Sequence, residues 1–115
     1  MEIGSIILFI KDMKAAIGFY RDVLGLEPDD PQPFPAHRFY RFDTGQCKLC
    51  LHSASKPNEG RTKVVFHVAS VAATHAELKI KKVRVGRLDP PNEEGLGCFG
   101  FRDPEGNHLQ VWGKY

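Results

Sequence analysis

One order of elements runs through this chain twice: a strand, a helix, then a run of short strands. The first pass opens with Ile3 to Lys11, rich in Ile and Phe. Ser5, Ile7 and Phe9 share one face of it, and Ile6, Leu8 and Ile10 the other. Its apolar character predicts a strand packed on both sides. Asp12 is a suitable N-cap, and Met13, Ala16, Ile17, Tyr20 and Leu24 follow at helical spacing. With Gly25 as the expected glycine past the end, the helix is predicted over Met13 to Leu24. Leu26 to Ala36 carries four prolines, which restricts it to an edge or a loop. Arg38 to Asp43 and Cys47 to His52 read as strands of a hairpin around Thr44-Gly45-Gln46.

The second pass repeats the plan. Thr62 to Val68 is a strand, Ser70 an N-cap, and Val71 to about Lys81 a helix. Val83 to Leu88, Leu96 to Arg102 and Asn107 to Gly113 follow as strands, with a loop at Asp89 to Glu94. Before the last strand stands Asp103-Pro104-Glu105-Gly106, a turn in which Pro sets an early φ and Gly permits a positive one. Ser53 to Thr62 is polar and holds Pro57, Asn58 and Gly60, as a linker does. With 115 residues the chain is read as one domain: module one about 1–53, a linker about 53–62, and module two about 62–115.

Bulk properties exclude several functions. Net charge is +2 with basic and acidic residues interleaved, so no basic stripe points to nucleic acid. The longest apolar run, Ile6 to Ile10, is far too short to span a bilayer, and the N-terminus lacks the pattern of a secretory signal. With three cysteines, an odd number, the expectation is reduced thiols and a cytoplasmic protein. Cys47-x-x-Cys50 is not read as half a zinc site, because residues three apart on a strand face opposite ways and no second pair exists. Gly95-Leu-Gly97-Cys-Phe-Gly100 matches a dinucleotide fingerprint in letters only. A loop precedes it and a strand follows, where a strand and then a helix are required.

Phe19-Tyr20-Arg21-Asp22-Val23-Leu24-Gly25-Leu26, combined with Phe101-Arg102-Asp103-Pro104-Glu105-Gly106-Asn107, resembles the vicinal-oxygen-chelate superfamily. That group includes glyoxalase I, bleomycin-resistance proteins and extradiol dioxygenases. The resemblance implies an α+β fold of two βαβββ modules, with curled mixed sheets forming a cup and helices on the outer faces. It also implies four metal-holding positions, typically His, Glu, His and Glu. Carried onto this chain, those positions are Ser5, Cys50, Lys63 and Gln110. An alcohol, a sulfur, an ammonium and an amide do not make a divalent-metal site, so no metal cofactor is expected, and a divalent metal is the alternative.

Alternation places Phe9, His52, His67 and Trp112 on the faces that carry those four positions, completing the candidate ligand-binding set. Phe9 and Trp112 offer flat apolar surface, Ser5 and Gln110 hydrogen bonds, and Lys63 a charge that favours an anion. His67 and His108 are expected six residues out of step, about 20 Å apart and too far to share an ion. His75 is expected to pack on the sheet. The phase of the strand at 38–43 is not readable. The reading is a metal-free protein that binds a small aromatic or anionic molecule. The alternative is a lyase or isomerase of the glyoxalase I group using Lys63 or Cys50. A homodimer is expected, since open sheet edges call for cover.

Overall fold

The computed structural model describes residues 3–56 and 62–115. Of the expected linker, residues 57–61 lie outside the described residues. The elements are β1 (Ser5–Ile10), α1 (Met13–Gly18), β2 (Phe39–Phe42), β3 (Lys48–Ser53), β4 (Lys63–Val68), α2 (Val71–Ile80), β5 (Leu96–Arg102) and β6 (His108–Lys114). The chain divides into two compact units. Unit one comprises 1–59 with 104–106, and unit two comprises 60–103 with 107–115. Each holds a mixed three-stranded sheet, ordered β1-β3-β2 in unit one and β4-β6-β5 in unit two. The first and last strands of each module run parallel, and the hairpin pair antiparallel. The α+β repeat read from the sequence is therefore present.

In unit one, Asp12 caps α1 by accepting the Ala15 N–H at 3.1 Å. Two more orphan donors at this helix start, the N–H groups of Lys11 and Asp12, bond to the Glu105 carboxylate, the latter at 2.6 Å. The helix does not run uniformly to Leu24. From Phe19 to Val23 it widens into a π-helical turn, with the Leu24 N–H on the Phe19 carbonyl at 3.0 Å. The widened turn carries Tyr20 into the core, where it is 0% exposed with its ring 6.0 Å from the equally buried Phe42. Burying a side chain such as Phe42 contributes about 2–3 kcal/mol. Gly25 follows at φ +74, as the C-terminal glycine reading requires.

β1 is not packed on both sides. Leu8 and Ile10 are buried with Leu49, Leu51 and Phe42, whereas Ser5, Ile7 and Phe9 are exposed. Ile7 and Phe9 of the second apolar set stay 43% and 45% exposed.

Neither module forms all three short strands of its run. In unit one the prolines leave a single bridge, Pro28 to Phe42. The side chain of Gln32 takes the missing strand's place: its amide N–H donates to the Arg41 carbonyl at 2.7 Å, and its oxygen accepts the Arg41 N–H at 2.8 Å. In unit two, Val83 to Leu88 is not a strand. Gly86 donates one backbone bond to the Gly100 carbonyl (2.7 Å), while its own carbonyl is taken by His75 Nε2 at 2.9 Å. That bond diverts the acceptor a ladder would use. His75 also packs edge-on against Phe99, with ring centroids 4.8 Å apart, so it does lie against the sheet.

α2 is capped by Ser70, whose hydroxyl accepts the Ala73 N–H at 3.1 Å. It ends with Val83 N–H on the Leu78 carbonyl and Lys82 at φ +66, a left-handed closing position filled by a residue with a Cβ. Its buried Val71 and Leu78 pack with Phe99, Phe101, Leu109 and Val111 of the sheet. The turn before β6 closes on itself. Asp103 accepts the backbone N–H of Asn107 at 2.8 Å and its side-chain amide at 2.9 Å, both residues being buried, with Gly106 at φ +85.

Candidate ligand-binding site

Each sheet turns one face away from its core, and the candidate residues lie on those faces. In unit one the rows across β1 and β3 are Ser5 with Lys48, Ile7 with Cys50, and Phe9 with His52. β2 adds Arg41 beside Cys50 and Phe39 beside His52, which settles its phase: Tyr40 and Phe42 face the core. Phe9 and Phe39 both meet the His52 ring, at 5.5 and 6.1 Å between centroids. Cys50 is the exception to exposure, at 2%. Arg41 stands next to it and is paired with Asp29 at 2.6 Å. Burial pushes the Cys50 thiol up, against the opposing pull of the Arg41 guanidinium. An enclosed thiol with a raised pKa is a poor nucleophile. At the end of the same row system, Lys48 donates to Asp43 at 2.5 Å, and that hydrogen bond holds the Asp43 carboxyl below its ordinary range.

In unit two the rows across β4, β6 and β5 are Lys63–His108–Arg102, Val65–Gln110–Gly100 and His67–Trp112–Cys98. This register corrects one sequence expectation. Lys63 pairs with His108, so His67 and His108 are four residues out of step, about 13 Å along the strands. They remain too far apart to share one ion. His67 instead tilts against Trp112, with centroids 5.1 Å apart.

A hollow of about 730 Å³ lies on this face. Its walls include Lys63, His108, Gln110, Gly100 and Arg102 from the sheet, and Arg84, Gly86, Arg87 and Asp89 from the segment after α2. Four basic side chains face one carboxylate there, and that carboxylate already pairs with Arg87 at 2.8 Å. A smaller recess of about 210 Å³ adjoins it through Asp89 and Cys98 and reaches Trp112. Of the residues expected from sequence, the structure brings Lys63 and Gln110 together here and sets Trp112 at the neighbouring recess. His67 stands on the same face outside both. Ser5, Phe9, Cys50 and His52 belong to the face of unit one. Arg84, Arg87 and Arg102 were missed. The signal for Arg102 was available, since it alternates with the apolar Phe99 and Phe101.

The residues at the four inherited positions do not fit a divalent metal. Lys63 is cationic, Gln110 and Ser5 are neutral, and the single thiol of Cys50 does not make a site. Among the described residues no three His, Cys, Asp or Glu side chains gather.

Two parallel-and-antiparallel sheets of this topology, each with its helix, define a recognised class, and residues 2–111 match the Glyoxalase/Bleomycin resistance protein/Dioxygenase superfamily. The chain belongs to that family. Similar solved structures include a lactoylglutathione lyase from Agrobacterium tumefaciens, at 24% identity over 97% of this chain and 92% of that one, with a TM-score of 0.77. A superfamily member from Sphaerobacter thermophilus shares 20% identity over 99% and 98%, with a TM-score of 0.77. Another from Nocardioides shares 18% over 99% and 83%, with a TM-score of 0.76. Identities this low establish the fold alone. No curated protein sequence matches the chain. No helix among the described residues is long and apolar enough to cross a membrane.

Proposed function

We propose that this protein binds a small anionic molecule on the open face of unit two, without a metal ion. The observation that carries this reading is the hollow itself: about 730 Å³ is the size of a small-molecule site, and its walls are basic. Lys63 supplies charge where a metal-using relative would place a ligand, so the attraction for oxygen anions comes from the protein's own cations. Gln110 offers an amide for orientation, and the exposed Trp112 (40%) offers a flat surface beyond.

The test is a thermal-shift screen of carboxylates, phosphates and neutral aromatics on chelator-treated protein, with metal content measured in parallel. Ligand at 100 times its Kd adds about 2.7 kcal/mol of stability. Anions are expected to raise the melting temperature with no metal bound. One zinc, nickel or iron per chain, with binding lost in chelator, overturns the reading.

A further inference from the structure

Resting on that reading, we infer that the ligand is a small aromatic dianion, a phosphomonoester or a dicarboxylate, and that Gly100 is the residue that admits it. The internal repeat supplies the reason. Asp29 donates its N–H to the Arg41 carbonyl at 2.9 Å, just as Gly86 donates to Gly100 at 2.7 Å. Arg41 stands beside Cys50, as Gly100 stands beside Gln110. Gly100 therefore corresponds to Arg41, and Gly86 to Asp29. In unit one this place is filled by the Arg41–Asp29 ion pair, which lies over the buried Cys50. In unit two the same two positions have no side chains, and the hollow opens there instead.

The two glycines serve different ends. A Cβ on Gly86 would meet the Gly100 carbonyl oxygen at 2.9 Å, so the backbone approach itself requires glycine. A Cβ on Gly100 would meet only the Leu109 oxygen, at an ordinary 3.6 Å. The fold tolerates a side chain at Gly100, and the open space is the consequence of its absence.

The charge sets the ligand's valence. Lys63, His108 and Arg102 form one row across three strands, and Arg84 lines the same hollow. Lys63 and Arg84 have no carboxylate partner among the described residues. These two uncompensated cations lining one hollow call for two negative charges on the ligand, where a monoanion supplies one. Trp112 lines the recess beside the hollow and offers a flat surface for the ligand's ring.

The experiment titrates phenyl phosphate, phthalate, benzoate and benzyl alcohol into the intact protein at pH 7.5 and reads the fluorescence of Trp112, the single tryptophan, with calorimetry alongside. A phosphomonoester is mostly dianionic at this pH, since its second pKa is about 6. Both dianions are expected to bind at least about tenfold more tightly than benzoate, and the tighter one names the head group. Lys63→Ala and Arg84→Ala are each expected to weaken it about tenfold. Gly100→Leu is expected to abolish binding with the circular dichroism unchanged, and Gly100→Ala to give an intermediate loss. Benzoate binding as tightly as the dianions overturns the dianion inference while leaving the hollow as a binding site. Full binding by Gly100→Leu and Gly100→Ala overturns the role of Gly100. Failure of every probe to bind overturns both the inference and the proposed function.

Discussion

Gln32 imitates a β-strand with one side chain, and removing it should release the segment that covers Cys50. Its amide makes three bonds to backbone: to the Asp29 carbonyl at 2.8 Å, to the Arg41 carbonyl at 2.7 Å, and from the Arg41 N–H at 2.8 Å. A hydrogen bond of this kind contributes about 1 kcal/mol net, and the site is only part-buried, so water recovers some of the loss. Gln32→Ala should therefore cost about 2 kcal/mol. For a chain of 115 residues, with an unfolding entropy near 2.1 cal/mol/K per residue, 1 kcal/mol shifts the melting temperature by about 4 °C, so the expected drop is about 8 °C. The same change should loosen the Arg41–Asp29 pair and speed the reaction of Cys50 with a thiol reagent under native conditions. Urea unfolding and thiol-reaction kinetics on Gln32→Ala, with Cys47 and Cys98 replaced by Ser, read both effects. A loss below about 0.5 kcal/mol, with Cys50 as slow as before, would refute the strand-mimic account.

Three further outcomes follow from the same geometry. Lys82→Gly should stabilise the protein by about 1 kcal/mol, because φ +66 at the end of α2 strains any residue with a Cβ; a lower urea midpoint would contradict this. The Cys50 thiol is raised in the folded state, so its contribution to stability is complete below the ordinary thiol pKa and is lost as pH rises through the folded value. The fall in urea midpoint between pH 7 and 10 should accordingly be shallower in Cys50→Ala, and identical profiles would count against it. Alkylation at pH 8 should mark the exposed Cys98 well before Cys50, as mass spectrometry of peptides would show.

Much of the fold was legible because it rests on local rules. Asp12 and Ser70 cap where short polar residues precede apolar periodicity, and Gly25 and Gly106 take the positive φ that their places demand. Strand phases followed wherever apolar and polar residues alternate, as in His108–Lys114. The phase of β2 was hidden because Phe39, Tyr40 and Phe42 are all aromatic, and only pairing with Cys50 and His52 orders them. The register of β4 on β6 depends on a partner more than 40 residues away, and counting from family positions misplaced it by two. Lys63, Gln110 and Trp112 were found by alternation. The basic wall from Arg84 and Arg87 was not, because it depends on Gly86 reaching Gly100 across a segment that never becomes a strand.

The most direct measurement is amide NMR of this 12.9 kDa chain titrated with phenyl phosphate in the presence of chelator. The expected shifts cluster at Lys63, Gly86, Gly100, Arg102 and Gln110 and do not change when divalent metal replaces the chelator. Shifts centred on Ser5 and Cys50, or shifts that arise only once metal is added, would contradict metal-free binding on the open face of unit two.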